Sequence, residues 1–227
     1  LAYFDPLTGL GNRRRMLDRL EHELALAVRK KHISALLFID LDNFKHINDT
    51  LGHAAGDEVL CQTAQRLRDT LREVDTVARI GGDEFVILIE DLQSCQKDIQ
   101  YEAKLVANRT LADLEQYFIL SGGRYKIDAS IGIAIIDHQD TDAIEVLKHA
   151  DAAMYEAKKN THQHICFHNS DLQKTLDARL AIESEINLAL EQFAFHAYYQ
   201  PQVDLEGHLI AAEALIRWQH PAKGIIY

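Results

Sequence analysis

The segment Arg79–Phe85, with the sequence RIGGDEF, constrains the fold of this chain more than any other. Its two adjacent glycines stand between the apolar runs Thr76–Ala78 and Phe85–Ile89, an arrangement typical of a tight β-hairpin. Glycine has no Cβ, so the backbone of such a turn can approach a bulky anion closely. The acidic residues Asp83 and Glu84 follow at once and can hold a divalent cation that neutralises phosphate charge. Taken alone, the pattern also fits an ordinary solvated hairpin.

A second acidic segment lies upstream, at the end of the apolar run Ile33–Ile39. A short, continuous apolar run of this kind predicts a strand that is buried on both faces. Asp40 and Asp42 follow it, and residues two apart project to the same side if the strand continues. Two acidic strand ends in one sheet form the oxygen-rich cage that Mg²⁺ prefers. The alternative is that Asp40 caps the loop and that Asp42 is solvated.

The remaining pattern predicts alternating helices and strands. Helices are expected at residues 16–31, 56–72, 96–118 and 143–159, and further strands at 125–136 and 163–167. This order predicts an α/β (α+β) fold with the βαββαβ core of ferredoxin-like and polymerase-palm proteins. Its central sheet is expected to be mainly antiparallel and flanked by helices. Such a core places the Asp40 strand end and the Asp83 turn on neighbouring central strands.

The composition is that of an ordinary globular protein. The 227 residues are 47% hydrophobic and 26% charged, with a formal net charge of −11, and the length suffices for one good core with a partial second module. So acidic a chain is not expected to bind nucleic acid, although a nucleotide can bind through metal ions and local Lys or Arg. The three cysteines fit neither a metal pattern nor a disulfide framework. No apolar run approaches a membrane span, which predicts a cytoplasmic chain or the cytoplasmic part of a membrane-anchored protein.

Several segments together resemble the GGDEF-domain diguanylate cyclases over residues 5 to about 168. They stand in the order and spacing of that family, and the combination is far more specific than any single motif. They are the opening motif DPLTGLGNR at 5–13, the stretch FIDLDNFK at 38–45 with Asn48-Asp49, Gly52-His53 and Gly56-Asp57 after it, the GGDEF motif at 81–85, and the closing helix ADAAMYEAK at 150–158.

The resemblance implies that the chain condenses two GTP molecules into cyclic di-GMP and releases two pyrophosphates. It implies a site for Mg²⁺ or Mn²⁺, two ions per active site, held by Asp40, the Leu41 carbonyl, Asp83 and Glu84. The implied catalytic residues are Asp83, Glu84 and Lys45, with Asp83 as the candidate general base. Because the two GTP molecules sit on two subunits, a homodimer is required.

The resemblance also implies a substrate site. Asn48 and Asp57 recognise guanine, because the carboxylate accepts from the base N–H groups while the amide pairs beside it. The other implied substrate positions are Gly81 and Gly82, Lys45 and Lys158 for the phosphates, and His53, for which fixing the loop is the alternative. The family commonly has Arg four residues after the position of Lys158, where this chain has His162. A largely neutral histidine holds a triphosphate less strongly, so weaker GTP binding is expected.

Arg72 and Asp75 match the Arg-x-x-Asp of the inhibitory product site in this family. Arg can bind phosphate and guanine edges through two parallel hydrogen bonds, and Asp can accept from guanine N–H groups. The resemblance thus implies allosteric inhibition by bound cyclic di-GMP. The alternative is a solvated helix end, because Arg-x-x-Asp is a common pattern.

The chain changes character after residue 168. A GGDEF domain is expected at 1–168, a helical linker at 169–194, and at 195–227 a segment that resembles the start of an EAL domain, the cyclic di-GMP phosphodiesterase module. Gln200, Glu213 and Arg217 match ligand positions of that family. An EAL domain is a β/α barrel of about 250 residues, so the segment is expected to be a truncated and inactive remnant.

Two alternatives to an active cyclase stay open at this point. One is a degenerate module that binds cyclic di-GMP or GTP without turnover, which the intact Asp83 and Glu84 disfavour and His162 favours. The other is a regulatory module of a full-length EAL phosphodiesterase. In each case the resemblance implies bacterial signalling and an upstream sensory domain in the complete protein.

Overall fold

The computed structural model describes residues 2–92, 96–120, 123–159, 163–168, 182, 184–221 and 223–226. The chain divides into two compact units, Leu1–Gln173 and Lys174–Tyr227. Over these described ranges, no helix is both long enough and apolar enough to cross a membrane.

The described elements of the first unit alternate along the chain much as the pattern predicts. The helices are α1 (Arg13–Lys30), α2 (Phe44–Leu51), α3 (His53–Thr70), α4 (Gln96–Leu114) and α5 (Ala143–Lys159). The strands are β1 (Ser34–Leu41), β2 (Thr76–Gly81), β3 (Glu84–Ile89), β4 (Phe118–Leu120), β5 (Gly123–Tyr125), β6 (Ala129–Ile136) and β7 (Ile165–Phe167).

A five-stranded sheet in the order β2-β3-β1-β6-β7 forms the centre of this unit. β1 runs antiparallel to both β3 and β6, while β7 is parallel to β6. Every residue of β1 is buried, as a strand with helices on both faces must be. The predicted mixed α/β core with a central, mainly antiparallel sheet flanked by helices is therefore confirmed.

Helix α5 lies unusually close to the sheet at Gly132 of β6. A Cβ at this position would overlap the carbonyl oxygen of Ala150 and the backbone nitrogen of Met154 in the helix. The absence of a side chain thus lets the backbone of α5 rest directly on β6. The apolar cluster on this face joins α1, α5 and the sheet: Met16, Leu20, Leu24, Leu36, Phe38, Ala78, Val86, Leu88, Ala134, Ile136, Ala143, Val146, Leu147, Ala150 and Met154.

The predicted helix over 56–72 is wrong at both ends. It begins at His53 and ends at Thr70, and a separate short helix, α2, precedes it. The two helices meet at Gly52, whose φ of 87° lies in the left-handed region that glycine adopts without strain. Phe44, Ile47 and Leu51 stand at helical spacing, but the helix has only eight residues and Phe44 alone is buried, so the pattern is too short to identify it.

The predicted helix over 96–118 also ends early, at Leu114. The chain then forms the small antiparallel hairpin of β4 and β5, so the strand predicted over 125–136 is two strands. Arg66 of α3 caps this helix end: its guanidinium donates to the carbonyl oxygens of Gln116 at 2.9 Å and Tyr117 at 2.8 Å. A capping group from so distant a part of the chain leaves no local signal.

The second unit contains a three-stranded antiparallel sheet in the order β10-β9-β8. Its strands are β8 (Phe195–Val203), β9 (Leu209–His220) and β10 (Gly224–Ile226). The linker helix predicted within 169–194 falls largely outside the described residues, which include only 182 and 184–191 of its helical part.

Candidate active site

The two acidic strand ends meet at one edge of the central sheet. Asp40, near the end of β1, lies opposite Glu84, the first residue of β3. The backbone N–H of Leu41 donates to the carbonyl oxygen of Asp83 at 3.3 Å. The structure therefore brings together the four residues that the sequence analysis assigns to metal binding, because antiparallel pairing of β1 and β3 aligns their ends.

A network of side chains fixes the glycine turn between β2 and β3. The guanidinium of Arg79 donates to the carbonyl oxygen of Gly82 through Nε at 3.0 Å and through Nη2 at 2.8 Å. Its Nη1 donates to the carboxylate of Asp5 at 3.2 Å, and Thr8 donates to the same carboxylate through its backbone N–H and its hydroxyl. The opening motif of the chain thus holds the turn that presents Asp83, a role of Arg79 that the sequence analysis missed.

Lys158, near the end of α5, places a positive charge beside the acidic strand ends. Its Nζ lies 2.5 Å from Oδ1 of Asp40. Burial lowers the pKa of Lys158, but its hydrogen bond to Asp40 and the charges of Asp40, Asp42 and Asp83 raise it by more, so the net pKa lies above the usual value. The ammonium group therefore stands as a fixed positive charge beside the carboxylates.

Asp42 is held by a residue that the sequence analysis did not single out. Ser130 of β6 donates its hydroxyl to the two carboxylate oxygens of Asp42, at 3.2 and 3.0 Å. Burial raises the pKa of Asp42, while Ser130 and Lys158 act in the opposite direction. Ser130 interrupts an otherwise apolar strand opposite Asp40, and this lone polar residue is the sequence signal that could have identified it.

The carboxylates at the strand ends crowd one another. Burial and then the charge of Asp40 raise the pKa of Asp83. Burial raises the pKa of Glu84 as well, followed by the charges of Asp151, Asp40 and Asp83. An all-oxygen ligand set of this kind fits hard divalent ions such as Mg²⁺ or Mn²⁺.

The predicted guanine-binding side chains lie at the corner between α2 and α3. Asn48 is half-buried on α2, and Asp57 is exposed in the early part of α3. Lys45 and His53 are exposed on the same two helices. The structure thus leaves these side chains accessible to a ligand, in an arrangement that the Gly52 corner fixes.

Comparisons with known proteins place this arrangement in a family. The model for the "Diguanylate cyclase, GGDEF domain" family matches residues 2–164, and that for the "EAL domain" family matches residues 183–227. This chain belongs to the GGDEF family. A short EAL segment follows its GGDEF domain.

Three similar proteins come from Pseudomonas aeruginosa. The bifunctional diguanylate cyclase/cyclic di-GMP phosphodiesterase MucR is 39% identical over 227 residues, which are 100% of this chain and 32% of MucR. The cyclic di-GMP phosphodiesterase NbdA is 33% identical over 100% of this chain and 28% of its own length. The chain therefore spans a third or less of these relatives. The solved GGDEF domain of PA1120 (TpbB or YfiN) is 38% identical, with a TM-score of 0.68, over 77% of this chain and 99% of that structure.

The Arg72–Asp75 turn lies at the other end of β2 from the GGDEF turn. One carboxylate oxygen of Asp75 accepts from the backbone N–H of Arg72 at 3.0 Å and the other from that of Glu90 at 3.4 Å. Arg72 is exposed and lines a cavity of about 340 Å³ together with Val74, Glu90, Asp91 and Glu102. The pair that the sequence analysis assigns to product binding is thus near in space, but carboxylates surround its arginine.

The remaining predicted residues fall elsewhere. In the EAL segment, Gln200 lies opposite Glu213 and His196 opposite Arg217 in the pairing of β8 with β9. Gln200 and Glu213 are both exposed. The predicted departure at His162 lies outside the described residues, and the weaker GTP binding expected from it stays a prediction.

Proposed function

We propose that this GGDEF domain is a diguanylate cyclase that condenses two molecules of GTP into cyclic di-GMP. The observation that carries the proposal is the convergence of Asp40, Asp83 and Glu84 at neighbouring strand ends, with Lys158 beside them. Each of these residue types is what a phosphoryl-transfer site needs: acidic oxygens for divalent cations and a positive charge for the phosphates.

The reaction joins each GTP to the other twice. The 3′-oxygen of one GTP attacks the α-phosphorus of the other, so that an O3′–P bond forms while the bond from that phosphorus to the bridging β-phosphate oxygen breaks. Each step releases one pyrophosphate and one proton from the attacking hydroxyl. Two such steps close the ring of cyclic di-GMP and give two pyrophosphates in all.

Within this reaction we assign the carboxylates to cation binding and proton transfer. Asp40, the Leu41 carbonyl, Asp83 and Glu84 hold Mg²⁺ or Mn²⁺, two ions per active site. Bound divalent ions supply neutralisation of the phosphate charge that develops during the transfer. Asp83 accepts the proton of the 3′-hydroxyl, a role supported by its place at the glycine turn, where its backbone carbonyl accepts from Leu41 of the neighbouring strand.

The other residues position the substrate. Lys158 and Lys45 bind the phosphates as point charges, and the bare backbone of the glycine turn leaves room for them, since a Cβ at either glycine would meet no atom within 4 Å. Asn48 and Asp57 read the guanine edge, so that adenine leaves their polar groups unpaired. Each domain holds one GTP, and catalysis therefore requires a homodimer.

We assign feedback inhibition by cyclic di-GMP to Arg72 and Asp75. Arg72 is exposed at the rim of a cavity and Asp75 is fixed next to it by backbone hydrogen bonds. Because the strand β2 of six residues separates this turn from Asp83, roughly 20 Å at 3.3 Å per residue, bound product acts without competing with GTP. Such inhibition is a coupling between two separate sites.

A second candidate function is regulation of a phosphodiesterase. The EAL match at 183–227 and the similarity to the phosphodiesterase NbdA favour it. In this case the GGDEF domain binds GTP or cyclic di-GMP and controls an EAL barrel in a longer protein, together with a sensory domain upstream. Since GTP is an intracellular nucleotide, we place either activity in the cytoplasm.

Turnover of GTP separates the two functions. The purified chain in Mg²⁺ should release pyrophosphate and form cyclic di-GMP, with a rate per subunit that rises with protein concentration because two domains must meet. Asp83→Ala should abolish the reaction. A wild-type chain that binds GTP but yields no cyclic di-GMP at high concentration would refute the cyclase and leave the regulatory function.

A further inference from the structure

Gly56 is an unusual residue for its place in α3. It lies inside the helix, which runs from His53 to Thr70, and it is buried. Glycine is among the least favourable residues for a helix interior, and its φ is not in the left-handed region that would require it. The helix itself therefore gives no reason for a glycine at this position.

The reason lies in the neighbouring helix α2. A Cβ on Gly56 would overlap Oδ1 of Asn48 and would lie 3.0 Å from its Cγ. The side chain of Asn48 thus rests directly on the backbone of Gly56. Interiors packed this closely transmit even one added methyl group to their neighbours. Alanine at position 56 must therefore displace the amide of Asn48.

Backbone hydrogen bonds hold the main chain on both sides of this contact. The N–H of Gly52 donates to the carbonyl oxygen of Asn48 at 3.0 Å, and the N–H of Gly56 donates to the carbonyl oxygen of Gly52 at 3.3 Å. The left-handed Gly52 closes this corner between the helices. Asp57 is the next residue in the chain. The corner thus fixes the backbone of Asn48 relative to that of Asp57, and the contact with Gly56 bounds the Asn48 amide on one side.

We propose that Gly56 is a positioning residue for guanine recognition, acting through Asn48. Its missing side chain sets the depth at which the Asn48 amide lies, so that this amide and the Asp57 carboxylate meet one base edge together. The inference rests on the proposed function, in which these two side chains read guanine. Hydrogen bonds weaken steeply with small changes of distance and angle, so a displaced amide reads the base poorly while the phosphate and metal contacts remain.

The test is the preference of Gly56→Ala for guanine over adenine. It is measured as the dissociation constant of the adenine nucleotide divided by that of the guanine nucleotide. We choose 3′-deoxy-GTP and 3′-deoxy-ATP in Mg²⁺ as ligands, because without the attacking hydroxyl neither can condense. Loss of one base-pairing contact should lower the ratio by about tenfold, through weaker binding of the guanine nucleotide alone. Thermal melting of the same variant controls for folding, and Glu58→Ala, at an exposed position of the same helix, should leave the ratio unchanged.

The Asn48→Ala background shows whether Gly56 acts through Asn48. With the amide removed, Asn48→Ala alone and Asn48→Ala combined with Gly56→Ala should show the same ratio. A Cβ on Gly56 would also lie 3.2 Å from Cζ of Phe44, so if Gly56→Ala fails to fold, the double variant with Asn48→Ala and the triple variant that adds Phe44→Leu are compared. Restored folding in the double variant supports the contact with Asn48, and restoration only when Phe44 is changed overturns it. An unchanged ratio in Gly56→Ala, or an equal drop in both backgrounds, overturns the inference while leaving guanine recognition in place. A wild-type chain without preference for guanine overturns the proposed function as well.

Discussion

The two ends of strand β2 each carry an acidic turn, and the two turns use their carboxylates differently. At the Arg72 end, both oxygens of Asp75 accept hydrogen bonds from backbone N–H groups. At the GGDEF end, burial and the charge of Asp40 raise the pKa of Asp83, and a hydrogen bond from its own backbone opposes the rise; the leading causes of the raised pKa of Glu84 are burial and the charges of Asp151, Asp40 and Asp83. The first carboxylate stabilises a turn, while the second pair is available to a cation.

The charged side chains around the two turns also differ. Lys158 lies among the carboxylates of the GGDEF end and opposes their repulsion. Three acidic side chains, Glu90, Asp91 and Glu102, line the cavity of Arg72; Glu90 pairs with Arg19 and Asp91 with His32, which lessens their repulsion of a phosphate. The function of an acidic residue therefore depends on which donors already occupy its oxygens and on the sign of the charges nearby.

Removal of one carboxylate from each turn should show the largest difference between the two turns. Asp83→Asn should lower turnover of GTP by about 10²–10⁴-fold, since it removes the candidate base, and should leave the melting temperature unchanged or higher because a crowded charge is lost. Asp75→Ala should keep turnover and lower the free energy of unfolding by about 1–3 kcal/mol, since two backbone N–H groups lose their acceptor. Steady-state kinetics and thermal melting of both variants measure this. The reverse outcome, a stable Asp75→Ala and an unfolded Asp83→Asn, contradicts the assignment.

The contacts by which Arg79 holds the glycine turn should matter for turnover at the GGDEF end of β2. Arg79→Met removes the hydrogen bonds to Gly82 and the ion pair with Asp5. A turn that shifts by about 1 Å costs on the order of 100-fold in kcat, and steady-state kinetics measure the loss.

The opening motif supplies a matched control for this variant. Arg68 also holds it, with Nη2 donating to the carbonyl oxygen of Thr8 at 2.9 Å, and no hydrogen bond described for Arg68 reaches the turn. Arg68→Met should therefore retain kcat. Equal losses in Arg79→Met and Arg68→Met show instead that the motif acts only through stability.

Charge changes at the Arg72 end should have the smallest effects, and in opposite directions. Arg72→Ala should weaken binding of cyclic di-GMP by about 10- to 100-fold, the loss of a charge-assisted contact, with basal turnover retained. Glu102→Gln should strengthen it by about two- to fivefold, because one opposing surface charge is gone. Calorimetry of both variants measures these changes. Equal affinity of wild type and Arg72→Ala means that the Arg-x-x-Asp match is accidental.

The sequence was sufficient to predict the central sheet and its acidic edge. The apolar run Ile33–Ile39 and the hairpin around the two glycines each carry a local pattern, and both become central strands. The segment that forms α2 is only eight residues long and mostly polar, and its helix was therefore missed.

The parts of the site that escaped prediction all depend on contacts between distant residues. Arg79 and Asp5 are separated by 74 residues, and Ser130 and Asp42 by 88. Arg66 likewise ends α4 through carbonyl groups that lie 47 to 51 residues along the chain. A contact between residues so far apart leaves no periodic pattern in the sequence, so only the folded structure identifies the partner.

The close approach at Gly132 extends the functional part of the molecule beyond the residues that touch substrate. The backbone of α5 rests on this residue, and the same helix carries Lys158 near its end to Asp40. A bulkier residue at this buried strand position lifts the helix and moves the ammonium with it. In a genetic selection for lost signalling, position 132 should thus behave like a member of the active site, although no substrate atom reaches it.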